Sequence, residues 1–391
     1  MDVVERGPLP NTVTVLERSH NIKEDKILSP IHSTSGHSNT NLLKSKPTIL
    51  IQTSNMLLIT SGDYYSGQSL ALQLLEQPEF KGKIRVSCRD TSRCENLRRL
   101  GAELVQTDYK NEQQLQKAVQ GIQYVVLVVE PENDRVLGAE NIVRAATQAQ
   151  VRNIILISQN GAEDGEQKSF QEFREIEEKF QQQLKNSKWV ILRTDFFQQN
   201  FLLWADYVQE KRQFPLTISE QDKFTPLNIN DLARVLIALV AQGKNALQPT
   251  LNDQYNNQTY TLTGPEAIDG DRIIEELKRS TGISDCKFQQ LKRQELERYL
   301  KELTNSQPYQ ERLREQEVQV TLQKLDNQNR RLKIPGNLTA IQIETYLDIF
   351  DWIKSGKGYR VSQDVKRLTG EDAQRVGQFF KEHAQDFKRN A

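Results

Sequence analysis

Two stretches of this chain place residues that could do chemistry. The first is Leu57-Leu58-Ile59-Thr60-Ser61-Gly62-Asp63-Tyr64-Tyr65-Ser66-Gly67. It reads as a short buried strand, a tight turn and the start of a helix. Backbone N–H groups at such a helix start converge on an anion, and in a doubly wound α/β fold this is where the pyrophosphate of a dinucleotide sits. The second is Val86-Ser87-Cys88-Arg89, which ends the next predicted strand on an arginine. An acid there would accept the ribose 2′-hydroxyl of NAD, whereas a guanidinium suits the 2′-phosphate of NADP. The spacing therefore predicts NADP(H) in preference to NAD(H), with Arg89 as the phosphate contact and Arg93 near enough to assist.

The loop departs from the usual three-glycine spacing. The three slots hold Ser61, Tyr64 and Gly67, with Gly62 available to help the turn. Each glycine normally serves a physical need, in turn the tight turn, the close approach of backbone to phosphate, and the packing of helix on strand. Tyr64 puts bulk where the backbone should approach phosphate, and Asp63 adds a negative charge beside it. A Rossmann-like domain whose cofactor binding is weakened or lost is the competing reading. Arg89 also has a plain alternative as a surface charge. Cys88 would be a reactive thiol if Arg89 lowered its pKa, or a buried structural cysteine.

Composition removes several classes. The chain has 391 residues, with 52 basic and 52 acidic side chains, so no net charge draws it to nucleic acid or an anionic membrane. Its three cysteines, Cys88, Cys94 and Cys286, have neither metal-ligand spacing nor an even count for a disulfide framework. They fit a reduced, cytoplasmic protein. Apolar runs such as Val125-Val126-Leu127-Val128-Val129 are strand-length, too short for a bilayer, and the N-terminus lacks a signal pattern. The histidines, His20, His32, His37 and His383, all lie outside the α/β segment. A Ser-His-Asp hydrolase or a His-ligated zinc enzyme is therefore not expected.

The elements that must hold these residues follow from periodicity. Strands are expected at Leu57–Thr60, Ile84–Cys88, Glu103–Gln106, Tyr124–Val129, Asn153–Ser158 and Trp189–Leu192. Helical segments alternate with them, among them 112–120, ended by Gly121, and 170–186. This alternation predicts a Rossmann-like doubly wound parallel sheet covered on both faces. The expected organisation is a flexible tail over 1–46, a dinucleotide-binding domain over 47–243 and a smaller mixed α/β C-terminal domain over 244–391. Residues 291–333, rich in Glu, Gln, Lys and Arg, read as an exposed helical insertion with a solvated surface. The C-terminal part should close a cleft over the carboxyl ends of the strands.

Beyond these local patterns, the chain resembles the NmrA-like family of atypical short-chain dehydrogenases from about Leu57 to Phe387. The likeness rests on Gly101-Ala102-Glu103-Leu104-Val105-Gln106-Thr107-Asp108, on Ala118-Val119-Gln120-Gly121-Ile122, and on Val151-Arg152-Asn153-Ile154. It rests also on Leu192-Arg193-Thr194-Asp195-Phe196-Phe197-Gln198-Gln199-Asn200, Asn230-Asp231-Leu232-Ala233 and Leu262-Thr263-Gly264-Pro265-Glu266. The resemblance implies NAD(P) binding, with Thr60, Ser61, Gly62, Tyr64, Tyr65, Gly67, Arg89, Asp108, Val129 and Ser158 as the cofactor-binding set. It implies one of two functions: an NADPH-dependent reductase of quinones or related small acceptors, or a non-catalytic redox sensor that regulates a protein partner. The chain departs from ordinary short-chain dehydrogenases, which protonate a carbonyl through Tyr-x-x-x-Lys. The helix after Ser158 contains no tyrosine; the nearest spacing in it is Phe170 with Arg174, and phenylalanine donates no proton. Quinone reduction demands less, because solvent protonates the hydroquinone. Ser158, Gln159 and Asn160 are expected at a strand end facing the cleft. Lys168 is either a proton donor or a solvated lysine.

Overall fold

The computed structural model describes residues 55–242, 246–322 and 334–388. The expected tail over 1–46 and the end of the charged insertion, 323–333, lie outside the described residues. The strand and helix pattern of the first half forms as its periodicity dictates. In chain order come β1 (Met56–Ile59), α1 (Tyr65–Leu75), β2 (Ile84–Cys88), α2 (Glu95–Arg99), β3 (Glu103–Gln106) and α3 (Glu112–Val119). They are followed by β4 (Ile122–Val128), α4 (Arg135–Gln148), β5 (Asn153–Gln159), α5 (Lys168–Gln183) and β6 (Lys188–Thr194). Local signals set the ends. Asn111 caps α3 by accepting the Gln114 N–H at 3.1 Å, and Gly121 leaves it at φ +71°, a conformation glycine adopts without strain.

The chain after β6 is denser than its loose pattern suggests. It contains α6 (Ala205–Lys211), β7 (Gln213–Leu216), α7 (Ile229–Val240), the short pair β8 (Ala241–Gln242) and β9 (Ala246–Leu247), and β10 (Gln258–Leu262). Next are α8 (Gly270–Thr281), β11 (Lys287–Gln290), α9 (Arg293–Asn305), α10 (Gln307–Leu322), α11 (Ala340–Lys354), α12 (Asp364–Thr369) and α13 (Val376–Glu382).

Seven strands form one sheet in the order β10-β6-β5-β4-β1-β2-β3, and every pair in it is parallel. The order turns back between β1 and β4, where Leu58 pairs with Val125 and Ile59 with Val126. That reversal opens a crevice at the strands' carboxyl ends. One face carries α1, α7 and α12, through Leu70, Leu74, Leu232, Leu236 and Val365. The other carries α3, α4 and α5, through Leu115, Ile142, Ala146, Ile176 and Phe180. This is the expected Rossmann-like doubly wound architecture.

A second core sits beyond the sheet. It is aromatic, with Phe196, Phe201, Trp204, Phe214, Phe224, Phe350 and Phe380 fully or almost fully buried. The boundary expected at 243 does not separate the two cores. Residues 196–224 serve the second core, while β10 and α12, from beyond 243, complete the sheet layer. Strand pairing rather than sequence order decides this, because β10 needs β6 to satisfy its backbone groups.

The charged insertion requires a correction. The sparse leucines of α9, Leu296, Leu300 and Leu303, are buried in the aromatic core, as are Tyr309 and Leu313 of α10. Tyr309 donates to the carbonyls of Pro335 and Gly336 at 2.9 and 3.0 Å, and Arg312 pairs with Asp206 at 2.9 Å. The charges are solvated on one face only; the leucines dock the other. Leu300→Ala is expected to destabilise the protein by about 2–5 kcal/mol, the usual cost of a buried leucine cavity. Urea unfolding checks it, and a free α9 would give almost no change. Among the described residues no helix is long and apolar enough to cross a membrane.

Candidate dinucleotide crevice

The loop between β1 and α1 is clamped to β4. The Thr60 and Ser61 hydroxyls both donate to the Val128 carbonyl at 2.7 Å, and the Val128 N–H donates to Thr60 Oγ1 at 2.8 Å. Ser61 takes φ +58°, the left-handed conformation that favours the glycine it replaces. Below it, the buried Tyr109 hydroxyl accepts the Ser61 N–H at 3.2 Å and shares a 2.7 Å hydrogen bond with Ser87.

Two glycines are fixed by contact. A Cβ on Gly67 would lie 2.2 Å from the Ser61 carbonyl oxygen and 2.6 Å from that of Thr60. A Cβ on Gly62 would lie 2.1 Å from Val86 Cγ1. Both positions therefore hold the close approach that the loop chemistry requires. The N-terminus of α1 carries no side-chain cap and no acid in its first turn, which leaves its dipole available to an anion. These features fit a pyrophosphate.

Tyr64 and Tyr65 open α1 from the rim. The Tyr64 hydroxyl donates to Glu132, and the Arg93 guanidinium lies 5.8 Å from its ring centroid. Tyr64 lines two cavities. One, of about 230 Å³, includes Asp63, Tyr65, Gln68, Arg93, Asn96 and Arg99 and is closed by α10 and residues 334–342. The other, of about 130 Å³, lies over the carboxyl ends of β4, β5 and β6. Its walls include Val129, Gln159, Phe173, Phe196, Phe197 and Tyr346, with Arg135, Asp195 and Asn200 supplying polarity.

Arg89 is at the end of β2 as expected, but its guanidinium is not free. Nε and one terminal nitrogen contact Glu130 Oε2 at 2.8 and 2.6 Å, and another reaches Asp108 at 3.7 Å. Glu130 is 6% exposed, and burial pushes its pKa up to about 7 despite the attraction of Arg89. Asp63 does not point at open solvent either. Its Oδ2 accepts the backbone N–H groups of Arg89 and Asp90 at 3.1 and 3.2 Å. Burial raises its pKa.

Several candidates turn away from the crevice. Ser158, expected to face it, donates its hydroxyl to Glu177 at 2.6 Å on the other side of the sheet, and Asn160 is buried against Asp195 at 2.9 Å. Of that trio Gln159 lines the cavity. Strand alternation explains this, because neighbours on β5 face opposite layers. Cys88 is buried, its thiol pushed up by a hydrogen bond with Cys94 and by burial, so it is a structural cysteine. Phe170 packs on Trp352, and Arg174 donates to the carbonyls of Ala162 and Gly165 at 2.8 and 2.7 Å. The slot of the dehydrogenase pair is thus structural. Lys168 is exposed beside Glu172.

Four residues of the site, Glu130, Arg135, Asp195 and Tyr346, were not singled out by sequence. An acid straight after an apolar parallel strand was a usable signal for Glu130. Asp195 lies within the stretch from Leu192 to Asn200, buried, with Asn160 and Thr225 donating to it; burial lifts its pKa to about 6. Tyr346 arrives from α11, and its hydroxyl donates to Asn200 Oδ1 at 3.1 Å. Among the described residues no group of His, Cys, Asp and Glu is arranged to hold a metal.

Fold and loop together define a Rossmann-like α/β protein whose crevice fits a dinucleotide. Residues 65–242 match the family described as NAD(P)H-binding. An NAD(P)H azoreductase from Xenophilus azovorans is 26% identical over 229 residues, covering 58% of this chain and 74% of that protein. An NADPH-dependent quinone oxidoreductase from Escherichia coli, solved with NADPH, superposes at a TM-score of 0.62 and 18% identity, over 84% of this chain and 99% of that one. The negative transcriptional regulator NmrA, solved with NADP, superposes at 0.56 and 11% identity, over 84% and 95%. At these identities the superpositions show a shared fold.

Proposed function

We propose that this chain is an NAD(P)H-dependent reductase that passes hydride to a quinone-like or other flat, conjugated acceptor. The observation that carries this is the aromatic crevice of about 130 Å³ at the carboxyl ends of β4, β5 and β6, which meets the phosphate loop at Tyr64. The reductase activities named for the azoreductase and the quinone oxidoreductase support the same acceptor class. Thr60, Ser61, Gly62, Tyr65 and Gly67 would hold the pyrophosphate, and Asp108 and Val129 would flank the adenosine. Tyr64 must swing its ring aside. Arg89, assisted by Arg93, would contact a 2′-phosphate, which favours NADP(H). When bound, the nicotinamide supplies the hydride. Phe196, Phe197 and Tyr346 would stack the acceptor and exclude water, while Gln159 and Asn200 orient it. Solvent supplies the proton. The reducing cytoplasm suits the three buried thiols.

The test is NADPH oxidation against a panel of quinones and azo compounds. Turnover is expected with flat acceptors and not with simple ketones, because Phe170 and Arg174 fill the slot from which a Tyr-Lys pair would protonate a carbonyl. Tight binding without turnover on any acceptor would contradict the reductase reading and favour a redox sensor of a protein partner. The filling of the dehydrogenase slot by Phe170 and Arg174 is the observation behind that second reading. A pull-down of partners with and without NADPH would then differ.

A further inference from the structure

We infer that Glu130 is the residue that sets nucleotide specificity, as an internal anion competing with the 2′-phosphate for Arg89. The inference rests on the dinucleotide reading above and concerns the adenosine end of the same crevice. Glu130 lies two residues past β4 and lines both the reductive crevice and a small pocket with Arg89, Tyr109 and Val129. Its carboxylate takes the place beside Arg89 that a phosphate would take. The guanidinium fork engages one oxygen only, Oε2, while Oε1 is buried with no hydrogen-bond partner among the described residues. A bridge built purely for stability would satisfy both oxygens. An arginine fork held by half of a carboxylate can instead be passed to a better anion.

The surroundings favour exchange. From the β1 loop, Asp63 faces Glu130; from the segment after β4, Glu132 does so; Tyr64 and Tyr109 face it with neutral phenols. Asp108 flanks Arg89, and Asp134, at the start of α4, is paired with Lys110 at 2.5 Å. Arg93 lies on Tyr64. The acids crowd around Arg89, so a dianionic phosphate arriving there must drive one of them neutral. Glu130, buried with Oε1 unpartnered and its pKa pushed up to about 7 by burial, is the one that yields. Binding of NADPH therefore takes up a proton at Glu130, and binding of NADH does not. A group whose pKa rises on binding strengthens that binding as pH falls. NADPH affinity rises from about pH 8 to about pH 6.5, below which the 2′-phosphate itself begins to protonate.

Titration calorimetry of the full chain with NADPH and with NADH, each in two buffers of different ionisation enthalpy, reads the proton directly. Glu130→Gln keeps the shape and removes the competing charge. It is expected to tighten NADPH about tenfold, a charge-assisted contact's worth, and to change NADH by less than about threefold. If the variant fails to fold, proton uptake by the unaltered chain on NADPH alone still decides. The inference is overturned if both nucleotides bind yet no proton is taken up with NADPH, or if a folded Glu130→Gln leaves NADPH unchanged. If neither nucleotide binds the unaltered chain or the variant, the dinucleotide reading itself falls and takes this inference with it.

Discussion

Gly67→Ala is expected to destabilise the protein by about 1–3 kcal/mol and to weaken NAD(P)H at least about tenfold. The added methyl has nowhere to go. It would meet the Ser61 and Thr60 carbonyl oxygens, which are backbone, so a rotamer change elsewhere does not relieve it. Those same residues fix the loop to β4 through two hydroxyls on the Val128 carbonyl. Either α1 retreats from the loop or the clamp opens, and both move the helix N-terminus off the anion. Urea unfolding and nucleotide titration read the two effects. Loss of stability with unchanged affinity would mean that the loop does not hold the cofactor.

Arg193→Ala is expected to cost about 3–5 kcal/mol, because it leaves a buried carboxylate without its counter-charge. Arg193 grips Glu177 through two bonds, at 2.9 and 2.7 Å, and extends a third nitrogen to Glu163 at 2.8 Å. Glu177 is buried on α5 and also receives the Ser158 hydroxyl. The cluster ties β5, β6 and α5 together just where β6 turns into Asp195 and Phe196 at the crevice wall. Chemical denaturation with Arg193→Lys beside it is the check. Lysine keeps the charge and loses the fork, so it should recover part of the loss. A change below about 1 kcal/mol for alanine would show the network to be superficial.

The sheet was legible because apolar runs of strand length alternate with helices, and each face needs a layer. The end of α3 was legible because Gly121 stands there. The second core was not, because its aromatics come from Phe170 to Phe387 with no period of their own, and only long-range packing unites them. The insertion misled for a related reason. Glu, Lys and Gln dominate α9 by number, but three leucines on one side decide where it goes. In the site, the loop and Arg89 stood out as local patterns. Ser158 was placed correctly on β5 but on the wrong face by a single step of alternation. The partner of Arg89 was invisible from Arg89 itself, since Glu130 reaches it from the neighbouring end of β4 across β1.

The central claim is that a dinucleotide lies across the β1–α1 loop and the end of β4. Amide hydrogen exchange of the full chain, with and without saturating NADPH, tests it most directly. Protection is expected at 60–68, at 89–93 and at 128–131, with α8 and α13 unchanged. Protection elsewhere with those three segments unaffected, or none at all, would contradict the account.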